Sequence, residues 1–543
     1  MAANSKKQNN RLNGILAVAV PLLVMCCVLA VYGIRYDTND DATLANLSAG
    51  AYGTGLHPVH LNIILSALMR PLYMLAGDVN WYVITQLLLS CLAIGAIFYC
   101  LMNRLGTKKG LALATALLIP FATNFFYTFQ YSKTSTIMLT GGLLLIAENL
   151  GKFNKFTVMG ILLSVRGSMT RWESFFAVGG IYAAILLTRF LYMDKKGKIN
   201  AIITMAVFFA VIFAAEITDV LIYRADSGWK DYVAYNAART EYSDYKVYLL
   251  KGENIFGDRV TDTEFALLDS WDFYDGERFT TEFINSLCEK VPGKGAVQTV
   301  KDTAYTFIHL LYGNGYRTAF AIALAAGLLL IRKNPRWLAY AGTVAVFGGL
   351  MLFLLYRGRF TRWVESGLLW AMITVIIFCI IDMAPQLFDR KYLVAVLLAA
   401  MCIISLPECI SLVETADYWQ KTRVENNSAY DELSRRKENL YLLSCEHIDG
   451  VAGYDVWHPR EDGYFSNIVA LGGWLSQTPY RNRVLENYGI NRPMVDSVDR
   501  DNVYFVGGNV HIIAQYASRQ LEKPVSAVAV PGYDMAVYQL VSE

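Results

Sequence analysis

The stretch that decides the fold is "GILAVAVPLLVMCCVLAVYGIRYDTNDDATLANLSAG", residues 14–50. Its first part, 14–34, is an unbroken apolar run, as long as the roughly 20 residues that a helix needs to cross a bilayer. Three carboxylates, Asp37, Asp40 and Asp41, follow immediately after this run. The sequence therefore predicts an acidic cluster at a membrane surface, where the first span ends.

The composition is typical of a membrane protein. Of the 543 residues, 55% are hydrophobic and only 17% are charged, whereas soluble proteins contain about 25% charged residues. The formal net charge is +2 and no polybasic tract is present, so nucleic acid is not expected as a partner. The first apolar run follows Lys6, Lys7 and Arg11 and lacks an A-x-A-like site, which predicts a retained anchor rather than a cleaved signal peptide.

Eleven apolar runs are predicted to span the membrane. They are 13–34, 80–102, 110–128, 133–150, 156–168, 173–193, 199–223, 314–331, 337–356, 363–383 and 392–412. With the N-terminus in the cytoplasm, every strongly basic short loop falls on the cytoplasmic side, as the positive-inside rule requires. These loops carry Arg104, Lys108 and Lys109; Lys152 and Lys155; Lys195, Lys196 and Lys198; Arg332, Lys333 and Arg336; and Arg390 and Lys391.

The stretch 58–77 is predicted to lie in the outer interface rather than to cross. A crossing here would move all the later basic loops outside, and Arg70 at mid-bilayer would cost about 2.5–3.5 kcal/mol. A shorter interfacial element is expected over 42–57. The predicted fold class is thus a polytopic α-helical membrane protein with about 11 spans and interfacial helices after the first.

Two large polar regions are predicted on the outer side, the loop 224–303 and the C-terminal segment 413–543. The segment contains strand-like runs, "NVYFVGG" and "AVAVPGYDMAVYQLV", and the helix-compatible "YDELSRRKENLYLL". These patterns indicate a small extracytoplasmic α/β domain. Residues 1–412, including the outer loops 35–79 and 224–303, then form the transmembrane domain.

The acidic cluster has two interpretations. Asp40 or Asp41 can cap a helix that starts near Thr43, because carboxylates accept hydrogen bonds from the free amides of a helix N-terminus. One cap needs only one carboxylate, however, and two adjacent carboxylates can raise the pKa of one of them, which suits a general base. Asp37 is the better candidate for a structural member, next to the substrate.

Basic residues gather on the same outer face, where arginines beside spans are unusual. They are Arg166 and Arg171 in "RGSMTRWE", Arg357, Arg359 and Arg362 in "YRGRFTRWVES", and Lys133 and Arg317. One interpretation is snorkelling with pairing to Glu173 and Glu365. The other is that their planar guanidinium groups, whose geometry matches a phosphate, bind one.

The outer loop opens with "YRADSGWKDYVAYNAARTEYSDY", residues 223–245, which is dense in groups that bind sugars by stacking and hydrogen bonding. An aromatic belt at the interface explains Trp229, but it explains Asn236, Arg239 and Asp244 less well. His57 and His60 are favoured as polar lining of the site over metal ligands. The cysteines include no C-x-x-C pair, so a structural zinc site is not expected.

The sequence resembles the GT-C membrane glycosyltransferases, such as the protein O-mannosyltransferases, aminoarabinose transferases and arabinofuranosyltransferases. The resemblance lies in "NDD" at 39–41, the interfacial elements after the first span, the many spans and the extracytoplasmic C-terminal domain. It implies that residues 1–412 are catalytic and that Asp40 or Asp41 is the base acting on an acceptor hydroxyl. The implied donor is a sugar on a polyprenyl phosphate, with Arg357, Arg359 and Arg362 as candidates for its phosphate.

The resemblance further implies an extracytoplasmic glycan, lipid or protein as acceptor, contact with membrane lipid, and inversion at the sugar. No cofactor is expected, and a divalent metal is left open because some relatives use one. A flippase or transporter is an alternative, but such proteins often show repeats and midplane charges, and only Glu216 and Asp219 resemble the latter. A polysaccharide polymerase or ligase is a closer alternative; the early carboxylates and interfacial helices favour the transferase.

Overall fold

The computed structural model describes residues 2–53, 55–330, 336–390, 392–445 and 454–543. Helices dominate its first part. They are α1 Ala2–Tyr32, α2 Asn39–Ala49, α3 Ile63–Leu75, α4 Trp81–Leu105, α5 Thr107–Phe126, α6 Tyr131–Glu148, α7 Lys155–Thr170, α8 Trp172–Leu191 and α9 Lys195–Ala225. Two short parallel strands, β1 Arg35–Tyr36 and β2 Thr128–Phe129, fasten the first outer loop to the turn between α5 and α6.

The middle part begins with the outer loop, which is helical along most of its length. Its elements are α10 Ser227–Thr240, a π-helical turn Glu241–Lys246, α11 Val247–Leu250, a 3₁₀ turn Gly257–Arg259, α12 Asp262–Asp269, α13 Thr281–Lys290 and α14 Ala296–His309. Membrane helices then resume with α15 Gly315–Leu330, α16 Trp337–Tyr356, α17 Arg362–Met383, a 3₁₀ turn Pro385–Asp389 and α18 Leu393–Arg435.

Eight helices in the described part of the chain are long and apolar enough to cross a membrane, namely α1, α4, α5, α8, α9, α16, α17 and α18. The prediction of a multi-pass helical membrane protein is confirmed. The other three predicted runs form α6, α7 and α15, of 18, 16 and 16 residues. Helix α6 is buried from Tyr131 to Ala147, and a helix enclosed by protein tolerates the polar start "YSKTST". Of the predicted inner loop residues, Arg332, Lys333 and Lys391 lie outside the described residues.

The two helices after the first span differ in detail from the expectation. Helix α2 begins at Asn39 rather than near Thr43, so Asp40 and Asp41 lie in its first turn, where the helix dipole favours negative charge. Helix α3 has only 13 residues and leaves Met74 and Leu75 80% and 84% exposed. An apolar face left open in this way is typical of a helix that lies in a lipid interface.

The C-terminal part is a small α/β domain, as predicted. It contains β3 Leu440–Leu443, β4 Ile468–Ala470, α19 Pro479–Asn487, β5 Val503–Val506, α20 Val510–Leu521, β6 Val525–Ala529 and β7 Val537–Ser542. The sheet has the order β4-β3-β5-β7-β6, with β3 parallel to β4 and β5, and β7 antiparallel to β5 and β6. The predicted boundary at 412/413 falls inside α18, whose 43 residues continue into this domain.

Strand β3 holds the domain between two buried clusters. Its side chains alternate between the two faces of the sheet: Tyr441 and Leu443 pack into the cluster of the membrane helices. Leu440 and Leu442 pack into the cluster shared with the outer-loop helices. A strand buried on both faces carries a continuous apolar run, which accounts for "LYLL". The domain is therefore wedged between the membrane part and the outer loop.

Candidate active site

The acidic cluster after the first span divides into three different environments. Asp37 forms a buried ion pair with Lys133, with 2.7 Å between Oδ2 and Nζ. Lys133 also donates hydrogen bonds to the carbonyls of Asn124 and Thr128. Both charges are thus satisfied by the protein, and neither residue lines the cavity described below. This geometry favours a structural role for Asp37 and Lys133 over contact with substrate or phosphate.

Asp41 is fully buried and bridges two helices. Its carboxylate accepts hydrogen bonds from the Thr38 hydroxyl and from the Tyr131 amide, both at 2.7 Å. Tyr131 is the first residue of α6, whose N-cap is Gln130, so Asp41 binds the N-terminus of α6 beside that cap. The N-cap position of Asp41's own helix is held by Thr38. Burial raises the pKa of Asp41 well above its usual range, against the opposing effect of these two hydrogen bonds.

Asp40 is the member of the cluster that lines the cavity. Its Oδ1 accepts a hydrogen bond of 2.7 Å from the Nε1 of Trp474, in the C-terminal domain. Trp474 follows two glycines: Gly473 has a φ of 72°, and a Cβ on Gly472 would lie 1.6 Å from the Trp271 carbonyl oxygen. The turn can therefore be this tight only with glycine, which sets Trp474 against Asp40.

A single cavity of about 1450 Å³ joins the membrane part, the outer loop and the C-terminal domain. Of the fourteen predicted catalytic and binding residues, seven line it: Asp40, His60, Arg171, Arg239, Asp244, Arg357 and Arg359. Seven others lie elsewhere: Asp37, Asp41, Lys133, Arg166, Arg362, His57 and Asn236. Residues far apart in the chain, such as Asp40 and Arg359, thus contribute to one site.

The cavity arginines of the outer face are each held by partners. Arg357 pairs with Glu241 and Arg359 with Asp244, both at 2.6 Å. The predicted partner Glu365 pairs instead with Arg317, at 2.6 Å. The carboxylates come from the π-helical turn after α10, so the outer loop fixes the direction of these guanidinium groups toward the cavity.

Arg171 is held mainly by neutral groups. Its Nη1 donates to the hydroxyls of Ser132, in a short hydrogen bond, and Tyr131, at 3.2 Å. Its predicted partner Glu173 lies 3.6 Å away and is largely exposed. The phenol of Tyr131, then the charges of Glu173 and Asp40, raise the pKa of Arg171 against the effect of burial. Arg171 is therefore a fixed cation close to Asp40.

Three further residues of the arginine and sugar-binding predictions do not line the cavity. Arg362 is exposed at the start of α17. Arg166 forms a short hydrogen bond to Thr170 in its own helix. Asn236 accepts a hydrogen bond of 2.9 Å from Arg239, so it orients a cavity residue rather than lining the cavity itself.

The two histidines occupy different surroundings. His60 lines the cavity and contacts the ring of Trp474 edge-on, with centroids 4.5 Å apart. Burial, and then the charges of Arg239 and Arg171, lower the pKa of His60 to about 4, so the ring is neutral at physiological pH. His57 stacks on Trp229 at 4.4 Å, in an aromatic cluster outside the cavity. Among the described residues, no group of three His, Cys, Asp or Glu side chains is arranged to hold a metal ion.

One wall of the cavity is apolar and belongs to the membrane helices. It is formed by Phe176 and Ala177 of α8, Leu350, Phe353 and Leu354 of α16, and Trp363, Val364 and Leu368 of α17. Two of the cavity arginines, Arg357 and Arg359, lie at one end of this wall, because they directly follow α16. The cavity thus combines an apolar wall, formed by helices long enough to cross a membrane, with arginines at one end of that wall.

The cavity residues that were not predicted from the sequence include Trp474, Ser132 and Arg481. The signal for Trp474 is the double glycine in "LGGWL", which marks a tight turn. Ser132 and Arg481 stand in segments with no such mark, because their partners lie far away in the chain.

Comparison by sequence finds no matching protein-family model and no matching curated protein. Among solved structures, the chain is similar to ArnT from Cupriavidus metallidurans in the apo state, at 12% identity and a TM-score of 0.39, over 99% of this chain and 98% of that chain. It is also similar to ArnT from the same organism bound to undecaprenyl phosphate, at 12% identity and a TM-score of 0.35, over 97% of each chain. At this sequence identity and TM-score, the similarity does not establish the function of the chain. The function is therefore argued from the geometry of the cavity.

Proposed function

We propose that this protein is a membrane glycosyltransferase that moves a sugar from a polyprenyl-phosphate donor to an acceptor on the outer side of the membrane. The acceptor is a cell-surface glycan, a lipid or a protein. One observation carries the proposal: a single cavity combines a half-exposed carboxylate, Asp40, with arginines above an apolar wall of membrane helices. A lipid chain fits the apolar wall, its phosphate fits the arginines, and the carboxylate remains for the acceptor.

The proposed reaction is a single displacement. Asp40 takes the proton from the acceptor hydroxyl, whose oxygen attacks the anomeric carbon, and this assistance contributes about 10²–10⁴-fold to the rate. The bond between the anomeric carbon and the phosphate oxygen breaks, and its electron pair leaves on the phosphate. Attack opposite to the leaving group inverts the anomeric carbon.

The leaving group is stabilised in this scheme by fixed cations. Arg357, Arg359 and Arg171 face the position where negative charge develops, and preorganised charges of this kind are often the largest catalytic contribution. The scheme requires no metal, so EDTA should leave the rate unchanged. A rate that depends on an added divalent cation would contradict this part of the proposal.

The test uses purified full-length protein in nanodiscs with a panel of polyprenyl-phosphate sugars, each combined with glycan, lipid and protein acceptors. We expect one donor to be consumed, with one polyprenyl phosphate released for each sugar transferred, whereas a transporter would leave the donor intact. Free sugars and nucleotide sugars serve as controls and should not be consumed. Donor that remains intact with every sugar, in protein shown to be folded, would overturn the proposal.

The proposed orientation has the N-terminus in the cytoplasm and the C-terminal domain outside. Single cysteines at Lys108 and Lys196 should be protected from an impermeant thiol reagent in intact cells, whereas cysteines at Asp244 and Ser466 should react. Reaction at Lys196 in sealed cells would contradict this orientation, and with it an outer acceptor.

A further inference from the structure

Arg481 is a buried cation on the cavity wall that the proposed reaction does not use. It belongs to α19 of the C-terminal domain, is only 4% exposed, and lines the cavity. Its guanidinium lies over the ring of Tyr52, 4.5 Å from the centroid, and its Nη1 donates a short hydrogen bond to the Ile468 carbonyl. One edge of the group is therefore anchored to the protein.

The other edge of the guanidinium is empty. Nε is buried without a hydrogen-bond partner, and no partner of Nη2 occurs among the described residues. In Arg317 the same Nε–Nη2 edge grips both oxygens of Glu365, at 2.6 and 2.8 Å. In Arg492 it grips Asp275, at 3.1 and 2.8 Å. Arg481 offers the edge that carboxylates fill elsewhere in this molecule, and no carboxylate in the described part of the chain lies within ion-pair distance of it.

An unpaired buried guanidinium is costly to a fold. Removing such a charge from water costs several kcal/mol, whereas stacking on a ring returns roughly 0.5–2 kcal/mol. Burial accordingly lowers the pKa of Arg481, against weaker effects of Tyr52, Tyr274 and Tyr454. A residue that served only to bind the Ile468 carbonyl would not need a charge, so the charge itself points to a ligand.

We propose that Arg481 recognises an oxyanion, a carboxylate or phosphate group, on a saccharide acceptor, and binds it through the free Nε–Nη2 edge. A planar fork of two donors matches the two oxygens of such a group. The identification of the ligand as the acceptor rests on the proposed function; the existence of an anion subsite does not.

The position of Arg481 assigns it to the acceptor rather than the donor. Its neighbours Tyr52, Phe465 and Ile468 belong to the first outer loop and the C-terminal domain. The apolar wall belongs to α8, α16 and α17. The C-terminal domain also supplies Trp474, which donates a hydrogen bond to Asp40. The same domain therefore provides Arg481 and contacts the proposed proton acceptor, Asp40.

The test measures binding by calorimetry with full-length protein in nanodiscs. The probes are glucuronic acid, glucose 1-phosphate and, as the neutral control, glucose. At least one anionic sugar should bind tenfold or more tightly than glucose, and the stronger of the two identifies the oxyanion. Arg481→Gln should reduce this binding to the level of glucose, Arg481→Lys should keep part of it, and Arg483→Gln, at an exposed arginine of the same helix, should keep all of it.

Each remaining outcome decides a separate point. Equal binding in the wild type and Arg481→Gln, or no preference for either anionic sugar in the wild type, overturns the subsite. Displacement of the anionic sugar by undecaprenyl phosphate assigns the arginine to the donor and overturns the acceptor assignment. Intact anion binding without any sugar transfer overturns the proposed function alone. If Arg481→Gln does not fold, a cryo-EM structure of the wild type with glucose 1-phosphate decides: phosphate beside Nη2 supports the subsite, and phosphate elsewhere overturns it.

Discussion

The first outer loop carries the carboxylates Asp37, Asp40 and Asp41, and the segment that joins α16 to the start of α17 carries Arg357, Arg359 and Arg362. The fold uses the two sets of like charges differently. In the first outer loop, Asp37 is neutralised by Lys133, and Asp41 is buried and accepts a hydrogen bond from the Tyr131 amide at the N-terminus of α6. Asp40 alone reaches the cavity, where its hydrogen-bond donor is the neutral indole of Trp474. The carboxylate that folding does not use is therefore the one left for proton transfer.

In the second loop, the charges that reach the cavity are the paired ones. Arg357 and Arg359 both line it and both bind carboxylates of the outer loop, whereas Arg362 is exposed and lies outside it. In the acidic cluster, the ion pair with Lys133 makes Asp37 unavailable to a ligand. In the arginine cluster, ion pairs with Glu241 and Asp244 hold Arg357 and Arg359 in position to face one. A cluster of like charges thus contains members with different tasks, and their partners distinguish them.

The largest effect is expected from separating Asp40 and Asp41 by the same substitution. Asp40→Asn removes the proton acceptor and should lower sugar transfer by about 10²–10⁴-fold without changing the melting temperature. Asp41→Asn should retain transfer, because an amide can accept from the Tyr131 amide and donate to the Thr38 hydroxyl. The measurement is release of polyprenyl phosphate from the donor identified above. Full activity in Asp40→Asn would defeat the assignment of the base.

The second prediction concerns stability at Asp41. Asp41→Leu leaves two buried donors unpaired and should cost about 1–3 kcal/mol for each, whereas Asp41→Asn should not. Because burial holds the pKa of Asp41 above its unfolded value of about 3.9, its contribution to stability is complete below that pH and is lost as pH rises through the raised pKa.

Thermal unfolding across pH tests this sign. The wild type should lose stability relative to Asp41→Asn as pH rises, because the amide does not ionise. The same pH dependence in both proteins would show that Asp41 does not ionise with a raised pKa.

The third prediction sharpens the contrast among the arginines. Arg359→Gln should weaken binding of undecaprenyl phosphate about tenfold, equivalent to about 1.4 kcal/mol, because a cavity cation is lost. Arg362→Gln is the matched control and should have little effect, since that side chain is exposed outside the cavity. Calorimetry in nanodiscs gives both constants. Equal affinity in both variants and the wild type would leave snorkelling and pairing as the explanation of the outer arginines.

Much of the fold could be predicted because its signals are local. Apolar runs, basic loops and the alternation in "NVYFVGG" gave the helical membrane part and the α/β domain. Three of the predicted spans form helices shorter than most of the others, namely α6, α7 and α15, of 18, 16 and 16 residues. Small residues let α6 and α7 pack closely against each other. At Gly142 and Gly160, an added Cβ atom would clash with the backbone of the opposite helix. Composition alone does not distinguish a short enclosed helix from a full span.

The site could be predicted only in part because its partners are distant in sequence. The sequence located Asp40 and Arg359, but Trp474 lies 434 positions from Asp40, and no local pattern joins them. Lys133 is a second example. Its charge predicts a phosphate ligand, but in the structure it pairs with Asp37, 96 positions away in the chain. Tertiary contacts decide which charged residue remains unpaired, and the spacing of residues in the sequence does not predict those contacts.

The smallest expected effect concerns His60, the other cavity residue that touches Trp474. Its pKa of about 4 lies below the unfolded value of about 6.5. The neutral ring therefore contributes stability that is complete above about pH 6.5 and is lost as pH falls through 4. In the wild type, the melting temperature should fall between pH 7 and pH 5 more than in His60→Gln. His458→Gln, at an exposed histidine, should behave as the wild type.

Above pH 6.5, His60→Gln should change sugar transfer only by a constant factor, because the wild-type ring does not titrate there. A bend in the ratio of the two rates near pH 6.5 would mean that His60 titrates with its ordinary pKa, and that the two arginines beside it do not keep it neutral.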